Sequence, residues 1–255
     1  MSIDRLKRFT GHCVRAFLGG ERQRYESRHF LLSSIAIRCG LRMYNRHLVW
    51  FDDPEPLRIW QRFPESVGGV SERRYVLLSA AQSIANVPGD TAECGVFRGA
   101  ASFLILSSQA ATGKLHHVFD SFEGLSEPDA RDAVDPEGVH YRWQKNDLST
   151  PQAIAAKNLA AFDNVRYYRG WIPTRFADVE SRRFSLVHID VDLYQPTYDS
   201  LAFFYPRMNP GGLIVCDDYG FSTCPGAKSA FDEFFAARPE KAVHLTTGQA
   251  LVFKR

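Results

Sequence analysis

The chain is organised around residues 185–220, SLVHIDVDLYQPTYDSLAFFYPRMNPGGLIVCDDYG. Two short apolar runs flank a helix-like segment, and acids follow each run: Asp190 and Asp192 after the first, Asp217 and Asp218 after the second. Neighbouring parallel strands lie about 5 Å apart, and open α/β sheets bind ligands at the carboxyl edge. Because crowded carboxylates resist ionisation unless a cation neutralises them, the stretch predicts a divalent-metal site.

A structural alternative exists for this acidic cluster, since aspartate is common at strand ends and helix caps. His188 lies inside the first apolar run and has two interpretations as well. It is either a hydrogen-bonded core histidine or, if Asp192 is not the base, the next candidate for that role. The residues alone leave both questions open.

The bulk composition indicates a soluble globular protein. The chain has 255 residues, of which 45% are hydrophobic and 24% are charged, and these fractions are ordinary. A net charge of +2 argues against a strongly polyanionic partner such as nucleic acid. The five cysteines are scattered and form no CxxC pair, so neither a zinc knuckle nor a disulfide framework is indicated and a reducing cytoplasm is expected.

We expect no transmembrane segment and no signal peptide. Spanning a bilayer takes an apolar run of about 18 residues, and none is present. The N-terminal region also lacks a clean apolar core followed by a small-residue cleavage site.

Residues 1–55 are predicted to form a basic helical extension or cap, and residues 56–255 the main domain. Residues 1–50 contain ten Lys or Arg against three acids, a surplus of seven, so the remainder carries −5 because the whole chain carries +2. Three interpretations of this basic face are open. It is simply solvated, it contacts a membrane surface or an acidic substrate, or it forms an oligomer contact or a substrate lid. The boundary is placed at 52–56, where two prolines and three acids suit neither helix nor strand.

The remaining sequence alternates strand and helix patterns. Short strands are predicted at 91–94, 115–120 and 164–168, a helix at 149–162, and a hairpin around the turn at 248–249. Alternating units of this kind predict a parallel sheet with helices on both faces. A doubly wound, Rossmann-like α/β sheet that ends in an antiparallel hairpin is the usual shape of the class I methyltransferase fold, so we expect that fold here.

A glycine-containing turn, ECGVFRG, follows the first strand and predicts a cofactor site. Gly95 and Gly99 would let the backbone approach a ligand, or they serve only helix entry. Asp120 ends the next strand, where an acid commonly binds ribose hydroxyls; a turn or cap role is the alternative. The negative charge of Glu93 disfavours a neighbouring pyrophosphate and suits a cofactor that carries positive charge. S-adenosylmethionine is therefore a better candidate for the cofactor than NAD.

Several stretches together resemble the TylF/MycF family of macrocin-type, S-adenosylmethionine-dependent sugar O-methyltransferases. The resemblance covers roughly residues 70–255. The stretches are ECGVFRGAASF, FDSFEGLSEPD, VRYYRGWIPTRF, HIDVDLYQPTYDSLAFFYPRMNPGGLIVCDDYG and CPGAKSAFDEF.

The resemblance implies a Mg²⁺-dependent transfer of a methyl group to a sugar hydroxyl. It implies Asp192 as the general base, with the metal held by Asp190, Asp217 and Asp218. The positions that match the family's cofactor pocket are Glu93, Gly95, Gly99, Asp120, Ser121, Gly170 and Trp171. Two residues depart from the family pattern: Ala100 replaces a second glycine, and His188 replaces an apolar or basic residue.

The leading hypothesis is therefore an S-adenosylmethionine- and Mg²⁺-dependent O-methyltransferase with a sugar or glycoside acceptor. One alternative is a dinucleotide-dependent oxidoreductase on a similar sheet, and another is a non-catalytic binding protein that uses its basic N-terminus. A homo-oligomer and a peripheral membrane contact through that N-terminus are further expectations.

Overall fold

A computed structural model describes residues 3–40, 54–67, 70–109, 112–135 and 140–255, with side chains from residue 7 onward. The chain divides into two compact units, Met1–Glu55 and Pro56–Arg255. The first contains the helices α1 (Ile3–Leu18) and α2 (Glu21–Arg38), as the helical pattern predicts. The rest of the predicted basic extension, residues 41–53, lies outside the described residues.

The α1–α2 pair has polar groups in its interface and apolar side chains on its surface. His12 Nδ1 lies 3.1 Å from Ser27 Oγ, and the His12 ring stacks on Phe30 with centroids 4.0 Å apart. The exposed apolar side chains on these helices include Phe9, Val14, Phe17, Leu18, Leu32, Ile35 and Ile37. This arrangement leaves apolar surface uncovered within the unit.

The second unit alternates helices and strands along the chain. Its elements are α3 (Glu55–Gln61), α4 (Glu72–Ser83), β1 (Asp90–Cys94), α5 (Ala100–Ser108), β2 (His116–Asp120), α6 (Gln152–Asn158), β3 (Val165–Arg169), β4 (Phe184–Ile189), α7 (Tyr194–Phe204), β5 (Met208–Cys216), α8 (Pro225–Phe235), β6 (Val243–His244) and β7 (Ala250–Phe253). Short 3₁₀ turns lie at Ala130–Asp132, Phe176–Val179 and Tyr205–Arg207.

The seven strands form one sheet in the order β3-β2-β1-β4-β5-β7-β6. Strands β1 to β5 pair in parallel, and β7 runs antiparallel to both β5 and β6. This confirms the predicted doubly wound sheet with a terminal antiparallel hairpin. The carboxyl ends of β1, β4 and β5 are neighbours at one edge.

Both faces of the sheet are covered because side chains alternate along each strand. On one face, Leu186 of β4 packs with Leu77 of α4 and Ile105 of α5. On the other, Val187 of β4 packs in the cluster that contains Phe204 of α7 and Phe231 of α8, among others. From Leu186 onward, even-numbered residues of β4 therefore face α4 and odd-numbered ones face α7 and α8, whereas Phe184, which precedes a register shift in the strand, packs on the α7 side.

Two local predictions are wrong in detail. Residues Glu55 and Pro56 do not lie in a break but begin α3; proline is tolerated in a first helical turn, where its missing N–H has no partner to lose. The helix expected over 149–162 is shorter, Gln152–Asn158, and is followed by a turn.

Candidate active site

The predicted site edge is built by a close approach of two backbones. Gly95 follows β1 with φ +83°, and a Cβ there would lie 1.9 Å from the carbonyl oxygen of Asp190. The sheet ladder also continues past the strand ends: Asp190 N donates to Cys94 O and Asp217 N donates to Ile189 O, each at 2.9 Å. The glycine therefore lets β1 and β4 deliver their following residues to one point.

The structure brings all four predicted acids to this edge but divides them into two groups. The ligand atoms of His188, Asp190 and Asp217 lie within 4.8 Å of one another, and so do those of Asp192, Asp218 and Cys224. The cause is the two-residue period of a strand, which turns the adjacent residues 217 and 218 to opposite faces of the sheet. The predicted metal set of Asp190, Asp217 and Asp218 therefore draws on both groups.

Arg73 connects the two groups. Its Nη2 pairs with Asp217 Oδ2 and lies 3.9 Å from Asp218 Oδ1. Asp217 Oδ1 accepts a 2.6 Å hydrogen bond from Gln249 Nε2. The sequence reading missed Arg73. A signal for it exists in the sequence, because two consecutive arginines lie in the first turn of α4. The helix dipole disfavours positive charge there, so an acid from elsewhere in the fold is expected to pair with an arginine at this position.

Asp192 has a strained backbone and a buried carboxyl group. Its φ is +59°, its N–H donates to Asp218 Oδ2 at 2.9 Å, and its Oδ1 accepts from Cys224 Sγ at 3.4 Å. Burial, with the negative charge of Asp190 added, raises the pKa of Asp192 to about 7. The same two causes raise the pKa of Asp218 well above its usual range, and the positive charge of Arg73 offsets this only in part.

A cavity of about 370 Å³ opens beside these acids. Asp190, Asp192 and Asp218 line it, and so do four of the residues predicted for the cofactor: Gly95, Asp120, Ser121 and Trp171. Its aromatic wall consists of Phe97, Phe119, Trp143, Trp171 and Phe221. Trp143 and Cys224 were not predicted as site residues: Trp143 belongs to no motif of the sequence, and Cys224 begins the matched stretch CPGAKSAFDEF without a role assigned to it.

Asp120 ties two loops together below this cavity. Its Oδ2 accepts from Val96 N at 2.7 Å and from Phe97 N at 3.2 Å, and its Oδ1 accepts from Phe122 N at 2.7 Å. Burial raises the pKa of Asp120, and these three hydrogen bonds oppose the rise. Ser121 donates its own hydroxyl to Gly124 O at 2.9 Å.

The other predicted cofactor residues have structural contacts. Gly99, with φ +90°, is the N-cap of α5 and packs under Leu159. Gly170 donates its N–H to Asp120 O at 2.9 Å, which places Trp171 beside the cavity.

Glu93 is buried, and both of its oxygens are engaged. Oε1 lies 3.0 Å from His188 Nδ1, and Oε2 accepts from Ser102 Oγ. Burial would raise the pKa of Glu93, but hydrogen bonds from His116 and His188 outweigh it and lower the value to about 2. Glu93 borders a second cavity of about 310 Å³ on the α4 face, together with His188, Asp190 and Asp217.

The donors present fit the groups that the sequence implies. Carboxylate oxygens suit hard divalent cations, and the buried Nε2 atom of His188 has no hydrogen-bond partner among the described residues. The larger cavity joins aromatic faces to acids, which suits a cofactor that carries an adenine ring and a positive sulfonium.

The strand order and the cavity at its carboxyl edge define a class I methyltransferase fold. Solved O-methyltransferase structures share it. The O-methyltransferase NovP is 28% identical with a TM-score of 0.57, over 71% of this chain and 79% of that chain. The calicheamicin methyltransferase CalS11 has a TM-score of 0.60 at 16% identity, over 82% of this chain and 94% of that chain.

Residues 68–245 match the family model described as Macrocin-O-methyltransferase (TylF), and the chain belongs to that family. A curated relative from Streptomyces olivaceus, 8-demethyl-8-(2,3-dimethoxy-alpha-L-rhamnosyl)-tetracenomycin-C 4'-O-methyltransferase, is 34% identical over 149 residues, 55% of this chain and 57% of the relative. Mycinamicin III 3''-O-methyltransferase from Micromonospora griseorubida is 33% identical over 147 residues, 54% of this chain and 58% of the relative. The chain thus matches under two thirds of these relatives' length.

Among the described residues, no helix combines the length and apolar character that crossing a bilayer requires.

Proposed function

We propose that this protein is an S-adenosylmethionine-dependent O-methyltransferase that acts on a hydroxyl of a sugar or glycosylated small molecule. The observation that carries the proposal is the acid-lined cavity at the carboxyl ends of β1 and β4, in a chain of the TylF family. The name of one matched relative includes a rhamnosyl group, which supports a sugar acceptor. No observation favours the dinucleotide or non-catalytic alternatives.

The cofactor occupies the larger cavity in this proposal. Asp120 and Ser121 lie at its base and Trp171 on its wall, while Gly95, Gly99 and Gly170 shape the backbone around it. Glu93 has an indirect role in this proposal. Both of its carboxylate oxygens are already engaged by protein groups, and one of these contacts holds His188 in place.

Asp192 is the proposed general base. It lines the cavity, and a pKa near 7 is the value at which a side chain both holds and releases a proton at neutral pH. His188 is less suitable for this role, since it is 1% exposed and borders the second cavity rather than the larger one.

Asp190, Asp217 and Asp218 would hold a divalent cation, Mg²⁺ by the family resemblance. Such a cation supplies charge that makes a sugar hydroxyl more acidic and stabilises the developing alkoxide. Arg73 is half exposed and pairs with Asp217, so it can supply positive charge to these acids when no cation is bound.

The experiment measures transfer of a labelled methyl group from S-adenosylmethionine to a panel of glycosides, with and without a chelator. We expect chelator to abolish transfer, Mg²⁺ to restore it, and Asp217→Asn to lose activity while it still binds S-adenosylhomocysteine. Asp163→Asn, an exposed acid before β3, is the control and should stay active. Undiminished transfer in chelator would refute the metal requirement.

The N-terminal unit supports a peripheral contact with an acidic membrane surface. Val14, Phe17 and Leu18 are 57%, 75% and 84% exposed, and they belong to the segment with the surplus of seven positive charges. Cytoplasmic residence agrees with the finding that all five cysteines are free. The homo-oligomer stays a prediction.

A further inference from the structure

We propose that His188 is itself a metal ligand, and that the site therefore selects a transition-metal ion such as Mn²⁺ or Co²⁺ over Mg²⁺. The inference rests on the proposed function, because it concerns the same metal site. It assigns a nitrogen donor where the family resemblance supplies only carboxylates.

The ring of His188 is aimed into the acidic group by the sheet. His188 and Asp190 are two residues apart at the end of β4 and face α4, the face that Asp217 also takes. The Nε2 atom lies 3.3 Å from Asp217 Oδ1, but the geometry makes no hydrogen bond, and this buried atom has no hydrogen-bond partner in the part of the chain that the structure describes. Leaving a buried polar atom unpaired is unfavourable, so a missing ligand for Nε2 is the simplest explanation.

The second ring nitrogen is already held in the orientation that a metal ligand needs. His188 Nδ1 lies 3.0 Å from Glu93 Oε1, and a carboxylate oxygen accepts such a hydrogen bond. The proton therefore belongs on Nδ1, and the Nε2 lone pair is free. Histidines that bind metals in proteins almost always give their other N–H to a carboxylate or carbonyl in this way.

Glu93 is in turn fixed by a buried chain of hydrogen bonds. Ser102 Oγ donates to Glu93 Oε2 and lies 2.8 Å from His116 Nε2, and His116 Nδ1 lies 2.7 Å from Thr91 Oγ1. All four side chains are at most 2% exposed. The orientation of His188 is therefore set before any ion binds.

Two groups compete with an ion for Asp217. Gln249 Nε2 donates to Oδ1 and Arg73 pairs with Oδ2. A carboxylate has about four lone-pair sites, so Gln249 leaves room for an ion on Oδ1. Arg73 is on the surface side, with 37% of its side chain exposed, and can turn outward when a cation replaces its charge.

The donor set decides which ion is preferred. One imidazole nitrogen and the carboxylates of Asp190 and Asp217 form a mixed set of nitrogen and oxygen donors. First-row transition metals accept such a set, whereas Mg²⁺ takes oxygen donors. For mixed N and O sites, affinity rises from Mn²⁺ through Co²⁺. Mg²⁺ still binds here, but more weakly.

The decisive experiment is electron spin-echo spectroscopy of the full-length protein loaded with Mn²⁺ in the absence of cofactor. We expect nitrogen-14 modulation from one directly bound imidazole, and Mn²⁺ binding that Mg²⁺ displaces only in large excess. Mn²⁺ binding without nitrogen modulation would overturn the inference and leave the metal-dependent function standing. Absence of binding by either ion would instead contradict the proposed metal site.

His188→Gln removes the nitrogen ligand and keeps a polar side chain. We expect it to lose the nitrogen signal and to weaken Mn²⁺ binding more than about 10-fold, since loss of an outer-shell partner alone costs 10- to 100-fold, while Mg²⁺ binding changes little. His140→Gln makes the same substitution at an exposed residue and should retain both. Equal loss of Mn²⁺ and Mg²⁺ affinity in His188→Gln would contradict a ligand role, and the wild-type spectrum decides the matter if that variant does not fold.

Discussion

Asp217 and Asp218 are adjacent in the chain, yet their carboxylates have different partners. Asp217 meets Arg73, Gln249 and the ring of His188 on the α4 face. Asp218 turns to the opposite face, where it accepts the N–H of Asp192. At the residue scale, the direction of a side chain along a strand therefore matters as much as its identity. A role for each acid follows from its neighbours.

Gly95→Ala tests the backbone contact that builds the site. The new Cβ would lie 1.9 Å from the Asp190 carbonyl oxygen at φ +83°, so we expect a large loss of stability and of S-adenosylhomocysteine binding. Gly113→Ala shares a positive φ, +68°, but has nothing within 4 Å of the new Cβ. It should cost only the conformational term of about 1–2 kcal/mol. Calorimetry on both variants checks this, and similar losses would contradict the close contact.

Asp192→Asn tests the base. A general base contributes about 10²- to 10⁴-fold to a rate, so we expect turnover to fall by that order while cofactor affinity is retained. If turnover is unchanged, Asp192 does not take the proton.

The same variant carries a pH prediction for the metal-free protein. The folded state raises the pKa of Asp192 from 3.8 to about 7, so it binds this proton more tightly than the unfolded chain does. The stability that this provides is present at low pH and is lost as the pH rises through about 7. We expect the Tm of wild type to fall relative to that of Asp192→Asn between pH 5 and 8, in chelator. A constant difference would show that the carboxyl group titrates normally.

At the element scale, two segments outside the sheet fix the loop after β1. Arg98 Nη2 donates to Glu65 Oε1 at 2.8 Å. The amide of Asn158, in α6, donates to the same oxygen at 3.0 Å and to Arg98 O at 2.9 Å. The loop that contains Gly95 is thereby held from the α3 side and the α6 side, beside the cofactor cavity.

Asn158→Leu should disturb that loop. Asn158 is 4% exposed, and the variant loses its hydrogen bond to the charged carboxylate of Glu65, a type of bond that contributes about 1.5–3 kcal/mol; we also expect weaker S-adenosylhomocysteine binding. Asn164→Leu is the control, because Asn164 donates a comparable 2.7 Å bond to Lys114 O at the other end of the sheet. Asn164→Leu should lower the Tm without weakening the binding of S-adenosylhomocysteine. Equal effects of the two variants on cofactor affinity would mean that the hydrogen bonds of Asn158 have no particular influence on the loop after β1.

The elements were largely predictable from sequence, and their long-range contacts were not. The short apolar runs and the hairpin near Gly248 are local signals, and they predicted the doubly wound sheet, its terminal hairpin and the position of the acids at the strand ends. The pairing of Arg73 with Asp217 depends on how α4 packs on the sheet, which no local pattern contains. Successive side chains of a strand point to opposite faces, so the sequence could have predicted that Asp217 and Asp218 point apart. The expectation that all four acids converge did not take this alternation into account.

At the scale of the whole molecule, the two units carry different surfaces. The Pro56–Arg255 unit holds the site, whereas the Met1–Glu55 unit combines positive charge with exposed apolar side chains. Basic, apolar helices of this kind bind the interface of membranes that contain anionic lipids. Family membership alone gives no reason for this surface, because the family match begins at residue 68.

Phe17→Ser combined with Leu18→Ser should weaken binding to vesicles that contain phosphatidylserine and leave methyl transfer to a soluble glycoside unchanged. Val67→Ser is the matched control, since Val67 is 82% exposed in the other unit. Co-sedimentation at low and high salt checks both parts, because charge-assisted binding weakens with salt. Equal vesicle binding by the double variant and wild type would reject the membrane contact.

We propose that the cofactor and the metal meet where the acids follow β4 and β5. A crystal structure with S-adenosylhomocysteine and Mn²⁺, with anomalous diffraction data, measures this most directly. We expect the nucleoside in the cavity that Asp120 and Trp171 line, and an anomalous peak in contact with Asp190 and Asp217. A cofactor bound elsewhere, or a peak absent from these two carboxylates at saturating Mn²⁺, would contradict the claim.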